Sequence, residues 1–132
     1  MQQQKQYESL IVWKEAHSLC IEIYAAINTF PTEERFGLCQ QIRRSSYSVP
    51  MNIVEGNVKR SQKEKLRFIE IAEGSLDELD YQILLSRDLG YMTNTQCATL
   101  RGHIARVAHL LGQFRRGIRE KNKQELPTPK FP

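Results

Sequence analysis

Between Cys97 and Ile118, the apolar residues Cys97, Leu100, Ile104, Val107, Leu111, Phe114 and Ile118 recur three and four positions apart without a break. A helical period of 3.6 puts all seven on one stripe, whereas a strand alternates every two residues and cannot gather them. A helix with such a stripe has to bury it. The chain must therefore supply partner helices of the same kind.

Three earlier segments meet that need. The first carries Trp13, Ala16, Cys20, Ile23, Ile27 and Phe30 at the same spacing and ends at Pro31, because a residue before proline avoids the helical region. Thr32 then serves as a candidate N-cap for a second helix, with Glu33 and Glu34 in its first turn and Leu38, Ile42, Val49 and Ile53 facing a core. A third begins at the capping box Ser61-Gln62-Lys63-Glu64, buries Ile69, Ala72, Leu76, Leu79 and Ile83, and stops at Gly90. Thr93 or Asn94 caps the fourth. The expected fold is all-α, an up-down-up-down four-helix bundle with its second helix kinked at Pro50. Residues 8–122 form the bundle, between a flexible N-terminal tail, 1–7, and a proline-containing C-terminal tail, 123–132.

With 132 residues, the chain is the size of one domain that can bury its own core. The three cysteines, Cys20, Cys39 and Cys97, are scattered and odd in number, which points to reduced thiols. The polar start M-Q-Q-Q-K-Q-Y-E is unlike a signal peptide, and no apolar run reaches membrane-spanning length. These features predict a cytoplasmic protein with no membrane partner.

The second helix holds more apolar surface than one bundle uses. Tyr47, Met51, Val54 and Val58 fall roughly opposite its core residues, and Ala105, Ala108 and Gly112 form a run of small residues on the fourth helix. An exposed apolar face of that kind marks an interface, so a homo-oligomer is expected. The alternative is that Pro50 shifts the helical phase and merges the two stripes into one broad buried face.

Between those faces lie Arg44, Ser48, Asn52, Glu55 and Lys59. They can pair with Ser75, Glu78 and Gln82 of the third helix as a structural polar stripe, or Arg44, Asn52 and Glu55 can line a groove for a ligand. Pro50 leaves the carbonyl of Ser46 without its helical donor, and nearby serine hydroxyls can compensate.

Catalytic and cofactor chemistry finds little support. None of His17, His103 and His109 follows a glutamate by three residues, as a di-iron bundle requires, and His17 with Cys20 is at most half a metal site. Glu70, Glu73, Asp77 and Asp80 read as a solvated face or a dock for a basic partner. There is neither a G-x-S-x-G elbow nor a phosphate-cradling glycine loop. The expectation is a non-enzyme with no cofactor and no metal.

Charge is more informative. The formal net charge is +4 and the pI about 9.1. Eight basic residues stand between Arg101 and the C-terminus against Glu120 and Glu125, and Lys59 to Arg67 is a second basic run. Arg43, Arg44, Arg106, Arg115, Arg116, Arg119, Lys121 and Lys123 are the candidate contacts to RNA or DNA, since such surfaces grip phosphates with little sequence preference. A scaffold that docks an acidic protein partner without nucleic acid is the other reading of the same charges.

The stretches L-I-V-W-K-E-A-H, F-P-T-E-E-R-F-G-L-C-Q-Q-I-R-R-S-S-Y-S-V-P-M-N-I-V-E-G and F-I-E-I-A-E-G-S-L-D-E-L resemble the bacterial four-helix-bundle proteins encoded by intervening sequences in 23S ribosomal RNA genes. The likeness spans about Tyr7 to Glu120. It implies a bundle assembled into a ring or barrel, commonly a pentamer. It also implies kinship with the accessory variability protein of diversity-generating retroelements, a basic pentamer that binds nucleic acid and a reverse transcriptase.

Overall fold

The computed structural model describes residues 4–125, with side chains through residue 121. A single-turn 3-10 helix, Gln6–Ser9, leads into α1 (Ile11–Ile27). A second such turn, Thr32–Glu34, precedes α2 (Leu38–Val58), followed by α3 (Gln62–Asp88) and α4 (Asn94–Glu125). No strand occurs among the described residues. Each helix packs on its neighbours in sequence and α1 also on α4, which closes a four-helix bundle. Of the expected tails, 1–7 and 123–132, residues 1–3 and 126–132 lie outside the described residues, while Gln6 and Tyr7 belong to the first 3-10 turn and residues 123–125 to α4.

The termini of α3 and α4 form for local chemical reasons. The Glu64 amide donates to Ser61 Oγ at 3.3 Å, so one orphan donor of α3 is capped. At its other end the Gly90 amide donates to the Arg87 carbonyl and the Tyr91 amide to the Ser86 carbonyl, each at 2.9 Å. That turn needs the positive φ of Gly90, +81°, which a side chain would strain. Thr93 rather than Asn94 caps α4: Gln96 N–H donates to Thr93 Oγ1 at 3.1 Å while Thr93 N–H donates to Gln96 Oε1 at 2.9 Å.

Two expectations need correction. Helix α2 does not start behind Thr32; the Thr32–Glu34 turn is separate, and Gly37 (φ −106°, ψ −108°) breaks the helical path before Leu38. In α1 the buried stripe is Val12, Ala16, Leu19, Ile23 and Ile27, so Val12 and Leu19 replace Trp13 and Cys20. Trp13 is only partly buried and packs edge-on to Tyr7 at 5.0 Å while stacking on His17 at 4.9 Å. This aromatic trio ties the N-terminal turn to α1, which is why Trp13 sits at the edge of the core.

The rest of the core matches the spacing. Ile42, Val49 and Ile53 of α2, the five α3 residues and six of the seven α4 residues are buried, with Leu38 and Phe114 packed against them. Each fully buried Leu, Ile or Val contributes on the order of 1.5–3 kcal/mol relative to exposure. Helix α2 continues unbroken through Pro50, which is itself buried. Ser46 Oγ donates to the Arg43 carbonyl at 3.1 Å and lies 3.4 Å from Cys20 Sγ.

Candidate functional site

The two basic runs of the sequence meet at one end of the bundle. The α2–α3 turn and the last turns of α4 line the same cleft, where Asn57, Gln62 and Lys65 face Gln113, Phe114 and Lys121. Arg60, Lys63 and Arg67 near that turn are exposed, as are Arg116, Arg119 and Lys121 on α4. Like charges so placed raise the local potential for an anion. Some cations at this pole are spent on structure. Lys65 Nζ donates to the carbonyls of Asn57 at 3.0 Å and Gly56 at 3.5 Å, which satisfies the C-terminal end of α2. Lys59 lies 5.2 Å from the Phe68 ring centre and 3.5 Å from Glu55.

The other predicted phosphate contacts are more dispersed. Arg43 donates to the Arg35 carbonyl at 3.0 Å. Arg43 and Arg44 sit some 14 residues before Val58, roughly 20 Å along α2 from the basic pole. Arg106 pairs with Glu15 at 3.1 Å, and Arg115 pairs with Glu73 at 3.8 Å, its Nε buried without a partner among the described residues. Lys123 belongs to α4, but its side chain lies outside the described residues.

The polar stripe assembles in part. Ser48 Oγ lies 2.8 Å from Ser75 Oγ across the α2–α3 seam, and Asn52 Nδ2 donates to the Ser48 carbonyl at 2.7 Å and to its hydroxyl at 3.0 Å. Ser45, which the sequence reading did not single out, reaches Glu78 at 3.5 Å. Glu55 turns to Lys59 in its own helix and does not join, and Arg44 is exposed at the edge of a polar groove of about 300 Å³ lined also by Gln41, Ser45 and Glu78. Gln82 Oε1 is buried without a partner among the described residues.

Of the expected oligomer face, Tyr47, Met51 and Val58 are exposed and Val54 is half-buried. On α4, Ala105 and Ala108 are exposed, but Gly112 is buried beneath the guanidinium groups of Arg115 and Arg116.

A charged cluster on the α1–α4 seam has no counterpart in the sequence reading. His103 Nδ1 lies 2.7 Å from Glu22 and its Nε2 3.0 Å from Glu15, which also receives Arg106. Arg106 foremost, and then His103, hold the Glu15 carboxyl below the usual carboxylate range. The signal was present as His103 and Arg106 three apart and Glu15 and Glu22 seven apart, but the pairing spans more than 80 residues of chain. Among the described residues no three His, Cys, Asp or Glu side chains are grouped to hold a metal. No helix among them is long and apolar enough to cross a membrane.

The family model for the 23S rRNA-intervening sequence protein matches residues 8–113, nearly the whole bundle. The chain belongs to this family. A crystal structure of a protein of unknown function from the S23 ribosomal protein family of Bacteroides thetaiotaomicron superposes with a TM-score of 0.72 at 21% identity, over 80% of this chain and 98% of that one. At that identity the likeness establishes the shared helical fold. No curated protein matches the chain.

Proposed function

We propose that this intervening-sequence-family protein is a non-catalytic, homo-oligomeric accessory that binds RNA or DNA through the basic pole of its bundle. The observation that carries the reading is the convergence of two basic runs, distant in sequence, on one end of the molecule. Exposed arginine and lysine there can contact phosphates along a strand, giving salt-dependent affinity with little base preference. The expected residues narrow accordingly to Arg116, Arg119 and Lys121, with Arg60, Lys63 and Arg67 joining from the α2–α3 turn.

Self-association is supported by the apolar residues left on α2. Tyr47, Met51 and Val58 face away from the bundle, as do Ala105 and Ala108 on α4. Among the described residues the backbones of α2 and α4 are not neighbours, which sets these patches on different flanks of the bundle. A contact between one copy's α2 and the next copy's α4 is head-to-tail, the kind that closes into a ring when the rotation allows. The pentamer implied by the family likeness is such a ring, and it would gather several basic poles together.

Titration of a labelled RNA strand across salt concentrations tests the binding. Arg116→Ala/Arg119→Ala/Lys121→Ala should weaken it and flatten the salt dependence by about two units of slope, as three lost phosphate contacts require. Absence of binding at low salt removes the reading and leaves the docking of an acidic protein. Solution mass tests the assembly, and a clean monomer at micromolar concentration would sink it.

A further inference from the structure

The cleft at the basic pole has a chemistry of its own. It measures about 570 Å³, within the range of small-ligand sites, and among the described residues no carboxylate lines it. Its polar lining is dominated by the carboxamides of Gln6, Asn57, Gln62 and Gln113, brought from the N-terminal turn and three helices. The half-buried ring of Phe114 supplies an aromatic surface, and exposed Lys121 supplies a cation. Along one side, Gly117 leaves the space open: a Cβ there would meet nothing within 4 Å.

Gln62 adds an independent observation. Its Oε1 is buried and has no hydrogen-bond donor among the described residues. A buried acceptor left so is a cost that a ligand N–H would remove. Neutral amides beside an aromatic ring, with a cation nearby, suit a flat heteroaromatic ring bearing a phosphate better than they suit a lipid or a bare anion. Carboxamides can both donate to and accept from a base edge, and aromatic side chains stack on its face.

We infer that this cleft holds one unpaired nucleobase of a bound single strand. Its ring packs against Phe114, an N–H of its edge donates to Gln62 Oε1, and its phosphate meets Lys121. The inference rests on the nucleic-acid reading and adds a preference that phosphate contacts alone do not give, for unpaired over duplex nucleic acid.

The test uses the full chain, a labelled ten-nucleotide RNA, the corresponding duplex, and Gly117→Leu, which fills the cleft with a better helix former. Circular dichroism melting checks that Gly117→Leu stays folded; Gln62→Ala takes its place if it does not. The expected result is about tenfold or greater loss of single-strand affinity, the scale of one lost stacking contact, with duplex affinity changed less than about twofold. Nucleoside monophosphates should compete for the strand on the unaltered protein. Equal strand affinity with and without the cleft-filling residue overturns the inference while the basic-pole reading stands. No binding of strand or duplex at low salt overturns both, and monophosphate binding without strand binding overturns the assignment to a strand.

Discussion

The α2–α3 and α1–α4 seams join the same bundle by opposite means. Helices α2 and α3 share the most extensive contact in the molecule, at a distance set by Gly56, where a Cβ would stand 3.1 Å from Phe68 Cβ and 3.4 Å from the Lys65 carbonyl. Its polar groups are mostly small hydroxyls and amides that satisfy each other at short range, as Ser48, Ser75 and Asn52 do. Of the four packed seams, that between α1 and α4 is the slightest, and it is bridged by long charged side chains, Glu15 and Glu22 to His103 and Arg106. Close packing and mostly neutral groups hold one seam, with Glu78 and Lys65 adding single charged contacts at Ser45 and at the end of α2. Ionised groups hold the other only while their charges last.

The difference can be broken most forcefully at Gly56. Gly56→Val should cost about 1–3 kcal/mol by overpacking, read as a lower urea midpoint. On α4, Gly102→Ala meets nothing within 4 Å and should leave stability unchanged or raised by up to about 1 kcal/mol. Equal losses at both glycines would remove the claim that the α2–α3 seam is the tight one.

At the charged seam, His103→Ala should cost about 1–2 kcal/mol, since its contacts to Glu15 and Glu22 go while Arg106 still serves Glu15. The contribution of Glu15 has a definite sign. Its folded carboxyl titrates below the unfolded value, so it stabilises above the unfolded pKa, and that stabilisation is lost as pH falls through the lowered folded value. Glu15→Gln should therefore flatten stability against pH on the acid side of its ordinary range, near 4.5. Denaturant melts at several pH values would show it, and an unchanged slope would count against the clamp.

The smallest effect belongs to the hydroxyl pair. Ser48→Ala should cost about 0.5–1.5 kcal/mol at any pH, and adding Ser75→Ala should cost less than a second full increment, because both serines lose the same bond. Strict additivity in that cycle would show the two hydroxyls to be uncoupled.

How much of this was legible in the sequence depended on range. The α4 stripe, the Ser61 cap and the Gly90 stop are interactions within a few residues and could be read directly, and the α4 cap was narrowed to Thr93 or Asn94. The α1 stripe was ambiguous because Trp13 and Cys20 have the same helical period as Val12 and Leu19, one position away; which set is buried depends on where α2 and α4 press. The start of α2 was misplaced because Thr32, Glu33 and Glu34 have the composition of a capped first turn, whereas the backbone at Gly37 separates them from the helix. Of the polar stripe, Ser48, Asn52 and Ser75 came together, while Arg44 and Glu55, at its edge, stayed with solvent and with Lys59.

The sequence alone determined that this chain forms four helices, and where most of them begin and end, because hydrophobic period and capping act over one or two turns. Only the tertiary structure decided which charges meet. Packing the helices brought Lys59–Arg67 beside the end of α4, set His103 between two glutamates more than 80 residues away, and left Gln62 facing a cleft. Those are pairings between helices, and no local rule of spacing encodes them.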